Sequence, residues 1–235
     1  MNKGKLYLIP NIISEGTEKQ VVTEQVRLII SDLDYFLVEN IRTARRYISS
    51  LKLGLTIENL TFEVLDKNTK KEALKELMSP IFNARNVGVI SESGCPGIAD
   101  PGALAVEFAH KGGIQVIPLS GPSSIFMAIM ASGFSGQSFV FHGYLPIDKL
   151  DLASKIKEME LQAIKNRQTQ VFMDTPFRNE KLLSFLIDNC NPNTLLSIAK
   201  DITGVNESIQ TKSIKDWKKD TPKLNKIPVV FSLFS

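Results

Sequence analysis

Cysteine is scarce in this chain: Cys95 and Cys190 stand far apart, in no pairing pattern. That excludes a disulfide framework and a cysteine-based zinc site, and it points to a reducing compartment. Charge of one sign is lacking as well. A formal net charge of +3 is too small to mark a nucleic-acid binder, so such a role must rest on a local basic patch. Long apolar runs are missing. No stretch approaches the ~20 residues that span a bilayer, and the first apolar run, residues 6–10, is too short for a signal-peptide core. There is no internal repeat and no low-complexity tract. Neither G-x-G-x-x-G nor G-x-x-x-x-G-K-S/T occurs, so both standard nucleotide-phosphate cradles lack support. These absences predict a soluble cytoplasmic protein, with no membrane span and no metal.

What is present is ordinary globular composition, 43% hydrophobic and 23% charged over 235 residues, enough for one large domain or two small ones. Short apolar runs at residues 5–9, 35–38, 60–64, 86–90 and 115–119 read as strands. Helical spacing fills 17–30, 41–51, 70–82 and 103–110 between them. Such alternation predicts an α/β fold with a mostly parallel sheet and helices on both faces. Ser120-Gly121-Pro122-Ser123-Ser124 breaks the pattern. The helix that follows, 125–131, is apolar all round and reads as buried. Strands at 139–141, 170–173, 195–199, 208–211 and 227–234 then crowd together around helices 152–164 and 179–187. A mixed sheet with antiparallel pairs is expected there. The predicted domains are 1–119, with the parallel sheet, and 120–235, with the mixed one. The polar stretch 212–226 reads as a surface loop or short helix anchored by Trp217.

The segment Ser91-Glu92-Ser93-Gly94-Cys95-Pro96-Gly97-Ile98-Ala99-Asp100-Pro101-Gly102 follows a predicted strand and opens a helix. In open α/β sheets, ligands sit beyond the carboxyl ends of strands. Glycines there permit positive φ and close approach of backbone to a ligand. Spacing alone is compatible with either a ligand loop or a structural turn.

The segment resembles the S-D-A-G-T-P-x-I-S-D-P-G signature of the tetrapyrrole-methylase-like superfamily. Further segments agree in order. Val38-Glu39-Asn40-Ile41-Arg42 resembles A-E-D-T-R, and Pro118-Leu119-Ser120-Gly121-Pro122-Ser123-Ser124 resembles P-L-P-G-P-S-A. Ala131-Ser132-Gly133-Phe134 is similar to A-S-G-L, and Phe141-His142-Gly143-Tyr144-Leu145-Pro146 to F-x-G-F-L-P. Phe172-Met173-Asp174-Thr175-Pro176-Phe177-Arg178 is similar to Y-E-S-P-H-R, and Lys200-Asp201-Ile202-Thr203 to R-E-L-T. The nearest branch resembles the bacterial small-subunit rRNA (cytidine) ribose 2′-O-methyltransferases. The departures are Ile9-Pro10-Asn11-Ile12-Ile13 where the family has T-P-I-G-N, Asn40-Ile41 within E-D-T-R, and Gly204 where a lysine closes R-E-L-T-K. The resemblance implies two α/β domains, a homodimer, and S-adenosylmethionine held in a cleft between the domains. By position it implies donor contacts from Pro10, Ser93, Gly94, Cys95, Ile98, Ser123, Ser124 and Asp174. It also implies ribosomal RNA or the small ribosomal subunit as partner. Two other functions are weighed beside it: methylation of a tetrapyrrole or other small cyclic metabolite, and donor or RNA binding without catalysis. The pyrrole branches' G-x-G-x-G-D and G-D-P are absent.

Methyl transfer to a hydroxyl calls for alignment and for a proton acceptor. Glu39, Asp174, Asp201 and Glu207 are the carboxylate candidates. Glu39 is favoured for its strand-end position, though it equally suits a surface carboxylate or a partner for Arg42. Glu39 and Arg42 are the candidate catalytic residues. RNA contact needs cations, because phosphate neutralisation dominates affinity. Arg42, Arg45 and Arg46 lie on one predicted helix, and Arg178 follows another strand. A solvated basic face is the alternative reading. Tyr144 and Phe177 suit base stacking or core packing. His142 reads as a packed, hydrogen-bonded histidine, and Cys95 as a pocket wall rather than a nucleophile.

Overall fold

A computed structural model describes residues 3–235; Met1 and Asn2 lie outside the described residues. The chain divides into two units, Met1–Ser123 and Ser124–Ser235.

In the first unit, β1 (Leu6–Ile9), β2 (Tyr35–Val38), β3 (Thr61–Val64), β4 (Val87–Ile90) and β5 (Val116–Pro118) form one sheet. Its order is β3-β2-β4-β1-β5, and every pairing is parallel. Strand side chains alternate between faces. Tyr7, Ile9, Phe36, Val38 and Ile90 pack with Val26, Ile30, Tyr47 and Ile48 on one side. Leu6, Tyr35, Leu37, Val87 and Val89 pack with Leu74, Met78, Ile81, Ala105 and Ala109 on the other. Both faces are covered, which is why these strands read as continuous apolar runs.

The helices differ from expectation at two places. Residues 17–30 form two helices, α1 (Glu18–Val21) and α2 (Glu24–Asp32). Thr23 interrupts them because its hydroxyl accepts the Val26 N–H at 3.3 Å and caps α2. After α3 (Ile41–Ser50) and a single 3₁₀ turn at Ile57–Asn59, residues 70–82 also split, into α4 (Ala73–Leu77) and α5 (Ser79–Phe82). Pro80 sits in the first turn of α5, where its missing N–H does no harm. Helix α6 (Gly102–Lys111) follows β4.

The second unit holds α7 (Ser124–Ser132), β6 (Phe139–Tyr144), α8 (Lys149–Asn166), β7 (Thr169–Met173), α9 (Asn179–Asn189), β8 (Leu195–Lys200), β9 (Ser208–Ser213), α10 (Ile214–Trp217) and β10 (Val229–Phe234). The sheet order is β6-β7-β10-β8-β9. Only β6 and β7 pair parallel; the other pairings are antiparallel. Asp148 caps α8 by accepting the Leu150 and Asp151 N–H groups. Leu152, Ile156, Met159 and Ala163 then line the buried stripe of α8. They share one core with Phe172, Leu183, Leu186, Trp217, Phe231 and Leu233. Trp217 does anchor its stretch: its indole N–H donates to the Leu196 carbonyl at 2.8 Å.

The expectation for α7 needs correction. Its Ile125, Ala128 and Ile129 are buried, yet Phe126 is 47% and Met130 82% exposed. The helix packs against β10 and β8, and a helix lying on one sheet face has one side to bury.

The unit boundary falls at Ser123/Ser124, a few residues beyond the predicted 119/120. Residues after β5 stay with the first unit because the Cys95 thiol donates to the Pro122 carbonyl at 3.3 Å. Among the described residues no helix is long and apolar enough to cross a membrane.

Candidate functional site

Parallel pairing puts the carboxyl ends of β1, β2, β4 and β5 along one edge of the first unit's sheet. The chain leaves these strands through Pro10, Glu39, segment 91–102 and Leu119. Because β4 lies between β2 and β1, its exit loop has a neighbour on each side, and it bonds to both. From β1, the Asn11 N–H donates to the Gly94 carbonyl at 2.9 Å. The Asn11 side-chain amide donates to the carbonyls of Ser91, at 2.9 Å, and Glu92, at 3.2 Å. From β2, Glu39 Oε1 accepts the Glu92 N–H at 3.3 Å. Pro10 is buried, and its carbonyl accepts the Tyr47 hydroxyl at 2.8 Å.

Two glycines shape the site. Gly94 has φ +69°, the left-handed region that L side chains rarely adopt. Gly121 allows close approach: a Cβ there would overlap the Pro10 ring. Further along the loop, Asp100 Oδ1 accepts the N–H groups of Gly97 and Gly102, both at 2.7 Å. This fastens the turn that holds Ala99 at φ +61°. Asp100 Oδ2 is buried without a hydrogen-bond partner. The backbone N–H groups of Ser93, Gly94 and Cys95 have no protein acceptor among the described residues.

The electrostatics follow from burial. Burial pushes the Glu39 carboxyl above its ordinary pKa, opposed by the Glu92 N–H and reinforced by the charges of Asp100, Glu92 and Asp66. Burial likewise raises Asp100, against the two N–H bonds it accepts. The Cys95 thiol is raised by burial and then by Asp100, so it is a protonated wall group at neutral pH.

The three arginines of α3 are all exposed but differently engaged. Arg45 lies over the Phe62 ring at 5.5 Å, and Arg46 pairs with Glu15 at 3.2 Å. Arg42 has no ion pair or ring contact among the described residues. It sits in the first turn of α3, where a cation opposes the helix dipole. The helix thus gains nothing from its charge. Arg46, Tyr47, Asn11, Glu15, Glu18 and Glu92 line a cleft of about 400 Å³.

In the second unit, Ser124 is the first residue of α7. The Asp174 side chain is 1% exposed and faces Arg178 at 3.1 Å. Its Oδ1 also accepts the Thr175 N–H at 2.7 Å. The buried Asp174 carboxylate holds the half-buried Arg178 at the start of α9. Tyr144 and Phe177 are 61% and 72% exposed, so neither is a core residue. His142 is half-buried and bonded to Gln170 at 2.7 Å. Asp201 Oδ2 and Glu207 Oε2 accept the Asn206 and Thr203 N–H groups, which places both carboxylates in the fastening of one turn.

Residues 23–217 match the family described as Tetrapyrrole (Corrin/Porphyrin) Methylases. The chain belongs to this family. It is a methyltransferase by that membership. Among its relatives is the ribosomal RNA small subunit methyltransferase I of Thermotoga maritima, 28% identical over 97% of this chain and 98% of that one. The protein of the same name from Vibrio cholerae is 27% identical over 87% of this chain and 67% of its own. Solved structures share the fold. The methyltransferase CobJ superposes with a TM-score of 0.66 at 18% identity, covering 99% of this chain and 94% of that one. Uroporphyrin-III C-methyltransferase from Thermus thermophilus gives 0.56 at 17%, covering 98% and 92%.

In this tetrapyrrole methylase family member, Pro10, Glu39, Ser93, Gly94, Cys95, Ile98 and Ser123 all belong to the exits of the first sheet. Ser124, Asp174 and Arg178 belong to the second unit. Sequence reasoning gave no role to Asn11, which it named only within a departure from the family pattern, or to Tyr47. The available signal was an asparagine directly after a strand-ending proline, a place where a short amide side chain commonly bonds backbone.

Proposed function

We propose that this chain transfers the methyl group of S-adenosylmethionine to a ribose 2′-hydroxyl of small-subunit ribosomal RNA. The observation that carries this reading is the likeness to ribosomal RNA small subunit methyltransferase I of Thermotoga maritima along nearly all of both chains. The residues of segment 91–102 suit the donor. The unpartnered N–H groups of Ser93, Gly94 and Cys95 offer hydrogen bonds to a carboxylate or ring nitrogen, and Ile98, 43% exposed, offers an apolar wall. Pro10, Ser93, Gly94, Cys95, Ile98 and Ser123 from the first unit, with Ser124 and Asp174 from the second, are the donor-binding residues of this reading.

When bound, the donor supplies a methyl group on a positively charged sulfur. The chain's own part is to align the hydroxyl with that methyl and to take up the hydroxyl proton. Glu39 suits the role of proton acceptor. Its Oε1 is held by the Glu92 N–H, and Oε2 has no protein partner among the described residues. Arg42, with its free guanidinium, suits an RNA phosphate. Arg45 and Arg46 extend the basic face, and Arg178 adds a cation fixed by Asp174. A homodimer is part of the same reading, and the exposed Phe126 and Met130 of α7 suit a second copy.

The test is incubation with labelled donor and small ribosomal subunits. Label is expected in alkali-resistant dinucleotides, because a 2′-O-methyl group blocks alkaline cleavage at that position. Arg42→Ala should lower incorporation and reduce the salt slope of RNA binding by about one. Absence of label from RNA, or label confined to bases, overturns the proposal.

A further inference from the structure

We infer that Asn11 is the positioning residue that gives the donor loop its binding conformation. The inference rests on the proposed donor-binding role of segment 91–102.

Four consecutive carbonyls of that loop are tied from the protein side. Those of Ser91 and Glu92 accept the Asn11 side-chain amide. That of Ser93 accepts the Ser91 hydroxyl at 3.1 Å. That of Gly94 accepts both the Ser91 hydroxyl, at 3.1 Å, and the Asn11 backbone N–H, at 2.9 Å. The N–H groups of Ser93, Gly94 and Cys95 are the ones left without a protein acceptor. A strip of backbone whose carbonyls are all satisfied inward and whose amides are free is a site for an acceptor-bearing ligand. Asn11 supplies three of the donor contacts that set this polarity, and the single Ser91 hydroxyl proton is shared between the Ser93 and Gly94 carbonyls.

Asn11 is itself fixed. It is 2% exposed, and its Oδ1 accepts the Ile12 N–H at 2.8 Å. The side chain therefore has one orientation, with the amide nitrogen toward the loop. The residue before it is also held, because the Pro10 carbonyl accepts the buried Tyr47 hydroxyl. Aspartate at this position keeps size, shape and the Oδ1 acceptor. It replaces the donating nitrogen with an oxygen facing two carbonyls.

The experiment is calorimetric titration of the full chain with S-adenosylmethionine, followed by steady-state kinetics on small ribosomal subunits. Asn11→Asp should raise the donor Kd and KM about tenfold or more. It should leave kcat at saturating donor and the KM for RNA near their unaltered values. Asn11→Ala, which removes the amide without setting an oxygen opposite the two carbonyls, should raise the donor Kd by less than aspartate does, and it carries the test if the aspartate variant does not fold. A residue with a merely structural role lowers the folded fraction and the amount of active enzyme without moving the donor KM. Donor Kd values equal to the unaltered chain's in folded Asn11→Asp or Asn11→Ala overturn the inference. Absence of donor binding by the unaltered chain overturns the proposed function instead, and this inference with it.

Discussion

The two units solve different problems with five strands each. In the first, all strands are parallel and only three or four residues long, so successive strands are joined by crossovers. The exits of β1, β2, β4 and β5 lie at one edge and bond to each other through Asn11, Glu39 and Cys95. In the second, β8, β9 and β10 are six residues long and pair antiparallel over their whole lengths. That ladder is continuous backbone hydrogen bonding over a core of Phe172, Phe231 and Trp217. Short parallel strands thus present loops, and long antiparallel strands supply a frame. Most of the residues proposed for catalysis and donor binding lie where the chain is folded back most often, not where it is paired most completely.

The largest expected effect breaks the frame. Phe231 is fully buried and stacked on Phe172 with ring centroids 5.5 Å apart. Phe231→Ala should cost about 3–5 kcal/mol and abolish slow hydrogen exchange in β8 and β10. The matched change Phe36→Ala, at a fully buried ring stacked on Phe62, should cost a similar amount and be read in β2 and β4. If both variants lose protection uniformly along the chain, the contrast between frame and loop-bearing sheet is wrong.

A smaller effect is expected at Glu39. Burial raises its pKa, so the ionised form that accepts a proton accumulates only above the ordinary glutamate range. Activity should rise with pH through that raised value. Glu39→Gln should lower kcat about a hundredfold and flatten this limb of the profile. The same shift has a stability consequence of opposite sense. The folded chain favours protonated Glu39 more than the unfolded chain does. That contribution is complete below the unfolded pKa and is lost as pH rises through the folded one. An unchanged limb in Glu39→Gln would remove Glu39 as the base.

Gly121→Ala sharpens the comparison at a single contact. Its new Cβ would overlap the Pro10 ring, so the β5 exit must shift, at a cost of about 1–3 kcal/mol. Donor affinity should fall as well, while exchange in the second unit stays as it was. The smallest effect is chemical. Cys190, in the second unit's core, is 7% exposed and pushed up to about 12 by burial. Iodoacetamide at mild alkaline pH should modify Cys95 slowly and Cys190 only on unfolding. Saturating donor should slow the Cys95 reaction further. Equal labelling of the two would contradict the burial that separates them.

Much of the fold was legible because periodicity reports burial directly. The run 35–38 is a strand buried on both faces, and its four residues emerge as β2 without change. The breaks at Thr23 and Met78 were not legible, because helical spacing continues through both while local hydrogen bonding ends the helix. The half-exposed α7 shows a related limit: an apolar residue in a sequence records no direction, and Phe126 and Met130 look the same as Ile125 and Ile129 until the sheet is in place. Segment 91–102 was legible as a loop through its glycines and prolines. Its fixation by Asn11 was not, since that depends on β1 and β4 being neighbours although some eighty residues separate them. The surroundings of the candidate bases Asp201 and Glu207 were not legible either. Each carboxylate has a nearby backbone N–H to accept, a local use that spacing does not reveal.

The sheet order has a consequence for how the chain comes into being. β4 lies between β1 and β2, so those first two strands have no partner in common until Ile90 has left the ribosome. A nascent chain shorter than that carries β1 with both edges unpaired, a template for wrong pairing. Arrival of β4 closes the gap and delivers segment 91–102 in the same event. The chain therefore acquires its proposed methyl-donor loop once β1 and β2 share a partner, while the other edge of β1 waits for β5, and products of synthesis that stop before β4 should be unable to bind the donor.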